Sequence, residues 1–324
     1  MRIHVQNFAG DPDGEITPEL WREAFPEARD HEVSFGMDAA AFDAAKAQME
    51  VLLVSTRAVR GLLPLVAPKL KVISVTSAGV EMLAPFDWVP EGAVLLNNSG
   101  VHAAKGGEYG LMGLLMLANR LPAFVAAQKD RAWRPQAART LDGGRLTVVG
   151  LGAMGGQVAA LARRHGMKVT GVRSRPAPNP DCERVVGLDG LDEALRTSDY
   201  LVLALPGGAA TRRLIDRRRL MLLPEGAGVV NIGRGTVLDQ DALCDRLEAG
   251  ALGGAVLDVF ETEPLHADSR VWTTPNLIVT PHVGGDNPAT YLRDTVAILA
   301  HNLAARAAGR PMPNRIELAT GARG

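Results

Sequence analysis

The sequence predicts an α/β protein of two domains, each built on a parallel, doubly wound sheet, and three observations carry that prediction. Short apolar runs alternate with segments of helical period along the chain, which is how parallel strands covered on both faces read. The strand-turn-helix run VVGLGAMGG lies at 148–156. A length of 324 residues exceeds one typical domain, so two cores are expected.

The first strand series is IHVQ at 3–6, VLLVST at 51–56, VISVTS at 72–77 and AVLLNN at 93–98. A second follows: LTVVG ending at Gly150, KVTGV at 168–172, YLVLAL at 200–205, GVVNI at 228–232, GAVLDV at 254–259 and LIVT at 277–280. Between them, residues 100–128 are apolar all round a helix until Pro122 interrupts it, which indicates deep burial. Lys105, Glu108, Arg120 and the glycines of that stretch weigh against a membrane span, and burial under a second copy of the chain is expected. A long helix from Pro288 to about Ala308 is expected to return to the first domain. The domains are therefore 1–98 plus 283–324, discontinuous, and 99–282.

Lys and Arg number 35 against 36 Asp and Glu, for a formal charge of -1, so no global field recruits nucleic acid or an anionic membrane. Cys182 and Cys244 have no metal-ligand spacing and fit structural roles in a reducing compartment. No signal peptide is visible, and no run approaches the roughly 18 apolar residues of a membrane helix. A cytoplasmic protein is expected. The histidines form no ligand-spaced cluster, so no metal is expected. The run Arg217-Arg218-Arg219 reads as a solvated helix face.

In the glycine-rich turn each glycine has a physical task. Gly150 allows the tight turn, Gly152 lets a pyrophosphate approach the backbone, and Gly155 lets helix and strand close up. Ala153, Met154 and the helical stretch 157–165 then present unpaired N–H groups to that pyrophosphate. About 20 residues on, where an NAD enzyme places an acid, this chain has Arg173-Ser174-Arg175. Two guanidinium groups and a hydroxyl suit a 2′-phosphate, so NADPH is the preferred cofactor and NADH the second. Three later runs set an arginine, a glutamate and a histidine at strand ends: VVNIGRGTV with Arg234, AVLDVFETEP with Glu263 and LIVTPHVGG with His282.

The order of these motifs, with SDYLVLALP at 198–206, MLLPEGAGVVNIGRGTVLDQDAL at 221–243, GAVLDVFETEPL at 254–265 and TPHVGG at 280–285, resembles the D-isomer-specific 2-hydroxyacid dehydrogenases over nearly the whole chain. The arginine-bearing turn is most similar to the NADPH-dependent glyoxylate/hydroxypyruvate reductase branch. The resemblance implies a Rossmann cofactor domain inserted into a flavodoxin-like catalytic domain, with a cleft between them, and reduction of a 2-oxo acid to the D-2-hydroxy acid. It implies His282 as the general acid, Glu263 as the carboxylate favouring its charged form, and Arg234 as the guanidinium holding the substrate. It further implies cofactor contacts from Pro206, Ile232, Gly233, Gly284 and Asp258, the last as acceptor for the nicotinamide carboxamide. Substrate contacts are implied from Ser77, Ala78 and Gly79, whose turn offers backbone N–H groups. Ser55, Thr56 and Arg57 stand at a neighbouring strand end as further candidates.

Three departures from the family pattern are visible. Leu205-Pro206 stands where relatives commonly have Pro-Leu. Lys105-Gly106-Gly107 implies an irregular start to the central helix, and Gly233 replaces a frequent alanine with little expected effect. A homodimer is expected. Two other readings stay open: an NAD-linked enzyme working oxidatively, and a nucleotide-sensing corepressor on the same scaffold, which the lack of basic or disordered extensions disfavours.

Overall fold

A computed structural model describes residues 1–11 and 13–318. The chain divides into two compact units, Met1–Val101 with the described residues from Asn287 onward, and His102–Asp286. These divisions fall slightly beyond the expected 98/99 and 282/283, because the turn after His282 is bonded to the second unit: His102 Nδ1 lies 2.9 Å from the Gly285 carbonyl oxygen.

The first unit opens with β1 (Arg2–Gln6), α1 (Pro18–Ala24), β2 (Glu32–Gly36), α2 (Ala39–Ala45), β3 (Val51–Val54), β4 (Val72–Val75) and β5 (Val94–Leu96). Its five strands are parallel in the order β2-β1-β3-β4-β5, the flavodoxin-like arrangement. β2 was not foreseen: EVSFG is short and has glutamate, serine and glycine among its five residues, so it lacks the apolar run that marks β1, β3 and β4.

The second unit contains α3 (Ala103–Ala118), α4 (Leu121–Lys129), β6 (Arg145–Val149), α5 (Ala153–Arg164), β7 (Lys168–Val172), β8 (Arg184–Val186), α6 (Leu191–Arg196), β9 (Tyr200–Leu203), α7 (Arg217–Leu220), β10 (Ala227–Asn231), α8 (Gln240–Glu248), β11 (Leu252–Leu257) and β12 (Leu277–Val279). α9 (Tyr291–Ala307) then returns the chain to the first unit, where Val296, Leu299 and Leu303 join the core of Ile3, Val5, Trp21 and Leu53. The helix starts at Tyr291 rather than at Pro288, after a hydrogen-bonded turn from Asn287 to Thr290.

The seven-stranded sheet runs β12-β11-β10-β9-β6-β7-β8, all parallel. The order reverses between β6 and β9, the switch point at which ligands bind in such sheets. Strand residues alternate between two cores. Leu201, Leu203, Val229 and Leu257 face α6, α7 and α8, while Val202, Val230 and Val256 face α3 and α5. That period of two with both faces covered explains the near-continuous apolar strands.

α3 is regular from Ala103 onward, contrary to the irregular start expected from Lys105-Gly106-Gly107. The glycines face neighbours. A Cβ on Gly106 would lie 2.9 Å from Met154, on Gly107 2.6 Å from Gln157, and on Gly110 2.5 Å from Val158. They let α3 lie against α5, and that contact offsets their low helix propensity. The three arginines of α7 are not merely solvated either. Arg217 pairs with Asp245, while Arg218 and Arg219 share Asp192, joining α7 to α8 and α6. Among the described residues no single helix is long and apolar enough to cross a membrane.

Candidate active site

The seven parallel strands of the second unit end at one edge of the sheet, and every candidate residue of that unit follows the end of β6, β7, β9, β10, β11 or β12. The turn after β6 has Gly150 at φ +98°, in the left-handed region that favours glycine. A Cβ at Gly155 would stand 1.9 Å from the Gly150 carbonyl oxygen. Around a Cβ at Gly152 there is nothing within 4 Å. The turn is thus closed where helix meets strand and open at the helix mouth. α5 begins at Ala153, four residues before the predicted stretch, and no side chain caps it. The first-turn N–H groups, including those of Ala153, Met154 and Gly155, face this opening without a capping acceptor. The donor set fits the pyrophosphate of a dinucleotide.

Arg173, Ser174 and Arg175 follow β7 and are exposed. Several arginines of this unit are ion-paired, as with Arg145 to Asp199 and Arg270 to Asp245 and Glu248. Neither Arg173 nor Arg175 has a carboxylate partner among the described residues, so both remain available to an anion. Pro206 follows β9, its carbonyl accepting from Thr211 Oγ1 at 2.8 Å.

The turn after β10 carries Ile232, which is buried, then Gly233 and Arg234. Asn231, fully buried, organises it: its Oδ1 accepts from the Gly233 N–H at 3.1 Å and its Nδ2 donates to the Arg234 carbonyl at 3.2 Å. Sequence reasoning did not single out Asn231, although a buried amide at a strand end needs such partners. Gly233 is not interchangeable with alanine, as had been expected. A Cβ there would meet the Leu205 backbone at 2.5 Å (O) and 2.7 Å (N), because the tips of β9 and β10 touch through this glycine. Gly235 plays the same part toward β11, its Cβ position falling 1.8 Å from the Phe260 carbonyl carbon. Arg234 is half-buried, and the one side-chain hydrogen bond of its guanidinium is to the Gly233 carbonyl at 2.9 Å.

Glu263, on the turn after β11, uses both carboxylate oxygens. Oε1 accepts from the Phe260 N–H at 2.9 Å, and Oε2 lies 2.6 Å from His282 Nδ1. The first bond fixes the carboxylate, and the second orients the imidazole, leaving Nε2 without a hydrogen-bond partner among the described residues. His282 is 45% exposed and has φ +56°, an uncommon conformation for a residue with a Cβ. Asp258, 2% exposed, holds that turn. Its carboxylate accepts from Thr280 Oγ1 at 2.6 Å, the Val283 N–H at 3.0 Å and the Gly284 N–H at 2.8 Å. Its carbonyl oxygen accepts from the His282 N–H at 2.9 Å. Behind Thr280 stands the Tyr109 hydroxyl, in hydrogen-bond contact with Oγ1. Burial pushes the Tyr109 phenol above its usual range.

In the first unit, Ser77, Ala78 and Gly79 lie half-buried beyond the end of β4. The Ser77 N–H is taken by Thr56 Oγ1 at 3.0 Å, whereas the N–H groups of Ala78 and Gly79 have no acceptor among the described residues. That pair of adjacent free donors suits a carboxylate. The further candidates are bonded to neighbouring residues. Ser55 Oγ donates to Asp11 at 2.6 Å, Arg57 is paired with Asp11 at 2.5 Å and Asp13 at 3.5 Å, and Thr56 ties the two turns together. Cys244 is buried and Cys182 half-buried, both free thiols. Among the described residues no cluster of His, Cys, Asp or Glu is placed to hold a metal.

Comparison with known proteins agrees with this geometry. Residues 111–284 match the family model for the NAD binding domain of D-isomer specific 2-hydroxyacid dehydrogenases. The chain is 31% identical over 264 residues to glyoxylate reductase of Thermococcus kodakarensis, covering 77% of each protein. It is 29% identical over 279 residues to D-3-phosphoglycerate dehydrogenase 2 of Arabidopsis thaliana, where the match takes in 82% of this chain and less than half, 44%, of that longer protein. A crystal structure of a D-isomer specific 2-hydroxyacid dehydrogenase from Xanthobacter autotrophicus Py2, in complex with NADPH and MES, is 27% identical and superposes with a TM-score of 0.80 over 98% of both chains. With two parallel sheets, an open glycine turn at the switch point and a Glu263–His282 pair at the strand ends, the chain belongs to the D-isomer specific 2-hydroxyacid dehydrogenase family, oxidoreductases that act on 2-hydroxy acids with NAD(P).

Proposed function

We propose that this protein reduces a small 2-oxo acid, of the glyoxylate, hydroxypyruvate or aryl-pyruvate type, to the D-2-hydroxy acid using NADPH. The observation that carries this reading is the 2.6 Å contact between Glu263 Oε2 and His282 Nδ1, which leaves Nε2 free to hand a proton to a carbonyl oxygen.

Arg234, whose guanidinium has no carboxylate partner among the described residues, binds the substrate carboxylate and orients the carbonyl. In the first unit, the N–H groups of Ala78 and Gly79, which have no acceptor among the described residues, are proposed with Ser77 as donors to a substrate carboxylate. When bound, the nicotinamide cofactor supplies the hydride. The Gly150–Gly155 turn would hold its pyrophosphate, and Arg173, Ser174 and Arg175 its 2′-phosphate. Pro206, Ile232, Gly233 and Gly284 would line its nicotinamide end, with Asp258 Oδ2, which among the described residues accepts from the Gly284 N–H, able to take one further bond from a carboxamide. NADPH in the Xanthobacter relative supports the choice of cofactor. A second copy of the chain is the proposed partner for the outer apolar face of α3 and α4, where Leu115 and Leu121 stay well exposed.

The test is steady-state oxidation of NADPH, and separately NADH, with glyoxylate, hydroxypyruvate and phenylpyruvate. Turnover is expected to favour NADPH and to fall by about 10²- to 10⁴-fold in His282→Ala, with NADPH affinity retained. An unaffected His282→Ala rate would sink the assignment of the acid.

A further inference from the structure

We propose that Tyr109 is a positioning residue for His282, acting through Thr280 and Asp258. The inference rests on the reading of His282 as the proton donor, and its ground is the direction of the hydrogen bonds. Thr280 has a single hydroxyl proton, and it goes to Asp258 Oδ1 at 2.6 Å. The oxygen of Thr280 can therefore only accept from Tyr109, so the phenol is the donor in the Tyr109–Thr280 contact. The result is a one-way chain, Tyr109 O–H to Thr280 O–H to Asp258.

At the end of this chain Asp258 accepts the Val283 and Gly284 N–H groups with its side chain and the His282 N–H with its carbonyl. Those three consecutive N–H groups define the turn on which His282 sits at φ +56°. A residue outside the right-handed and extended regions persists only where its surroundings over-determine it, and here they do so through one residue, Asp258, with its carboxylate and its carbonyl.

The packing agrees with the hydrogen bonds. A Cβ on Gly284 would lie 2.8 Å from Asp258 Oδ2 and 3.0 Å from Tyr109 Cγ, so this glycine admits the carboxylate and the ring together. On the other side of the turn, a Cβ on Gly285 would lie 3.0 Å from His102 Cβ, and the Gly285 carbonyl lies 2.9 Å from His102 Nδ1. The first two turns of α3 therefore grip the His282 turn at both ends. Tyr109 is 6% exposed and stands on the buried face of α3 among glycines and leucines. A phenol so placed needs a hydrogen-bond partner, and among the described residues its hydroxyl meets Thr280.

The test uses Tyr109→Phe, Thr280→Val and Thr280→Ser in the full chain, assayed with NADPH and whichever 2-oxo acid the wild type turns over. Loss of one neutral hydrogen bond is worth about 0.5–1.5 kcal/mol, so kcat is expected to fall about two- to tenfold in Tyr109→Phe and Thr280→Val. KM for the 2-oxo acid and the affinity for NADPH stay near wild type, because no binding contact has gone. Thr280→Ser keeps the hydroxyl and restores the rate, and the double variant is no worse than the more impaired single one, as for two links of one chain.

Imidazole NMR of His282 in the absence of substrate separates this proposal from the reading of function. A changed His282 signal in Tyr109→Phe supports the positioning role even where no 2-oxo acid is turned over. Wild-type kcat together with an unchanged His282 signal in both Tyr109→Phe and Thr280→Val overturns it, as does an equal rise in KM and fall in kcat without rescue by serine.

Discussion

Replacing Gly233 with alanine tests the packing of the strand tips that carry the site. Its φ lies outside the left-handed region, so the substitution is free of backbone strain and the whole cost is steric. The added methyl would sit 2.5 Å from the Leu205 carbonyl oxygen and 2.7 Å from its amide nitrogen. Carbon and oxygen atoms in contact need roughly 3.3 Å or more, so the tips of β9 and β10 must separate by several tenths of an ångström or more. Both obstacles are backbone, and no side chain can turn aside. Overpacking of this kind costs about 1–3 kcal/mol. In a unit of this size each kcal/mol lowers Tm by about 2–4 °C, which gives a fall of about 2–12 °C in scanning calorimetry. The same movement displaces Arg234, the next residue, and a shift near 1 Å at a substrate-orienting group costs about a hundredfold in rate. Gly152→Ala is the control: with nothing within 4 Å of its Cβ, it should leave Tm unchanged and raise only KM for the cofactor. A Gly233→Ala protein with wild-type Tm and wild-type kinetics would refute the reasoning.

Two more predictions follow from the charges. The double variant Arg173→Ala/Arg175→Ala removes the charge-assisted bonds proposed for a 2′-phosphate, worth about 1.5–3 kcal/mol, so KM for NADPH should rise roughly 10- to 100-fold while that for NADH stays put; equal loss with both nucleotides would contradict the assignment. Hydrogen bonds from Arg218 and Arg219 hold Asp192 down from 3.8 to about 2, so its contribution to stability is present above pH 3.8 and is lost as pH falls toward 2. Asp192 is 36% exposed, so screening leaves less than about 1 kcal/mol, and the urea midpoints of wild type and Asp192→Asn should differ at pH 7, draw together below pH 3.8 and converge only near pH 2; a gap that widens on acidification would reverse the sign.

The sequence by itself determined the strands that are buried on both faces, since Leu52, Ile73, Val202 and Val230 belong to continuous apolar runs that no other environment accommodates. It also determined the glycine turn and the family motifs, because Gly150 and Gly155 are required by local geometry: a left-handed φ and a strand in contact with a helix. β2 and β8 were not legible, being short edge strands only partly buried, whose apolar content is too low to signal them. The glycines of α3 were misread as a defect, because a glycine's purpose lies in what it lets approach, and Met154, Gln157 and Val158 are about 50 residues away in sequence. The same holds for Gly233, whose need for the absence of a side chain comes from Leu205 on the neighbouring strand.

Within the site, Arg234, Glu263 and His282 could be named from the ends of three apolar runs, but nothing in the runs says which oxygen of Glu263 meets which nitrogen of His282. Nor do they reveal that Asn231 ties the Arg234 turn, or that Tyr109 stands behind Thr280. Those are contacts between residues as far apart as 171 positions. Local sequence sets backbone preference and the pattern of burial, whereas a hydrogen bond between side chains needs two atoms within about 3 Å with the right direction. Only the packing of α3 against the sheet brings Tyr109 to Thr280, and only that packing decides which way the protons point.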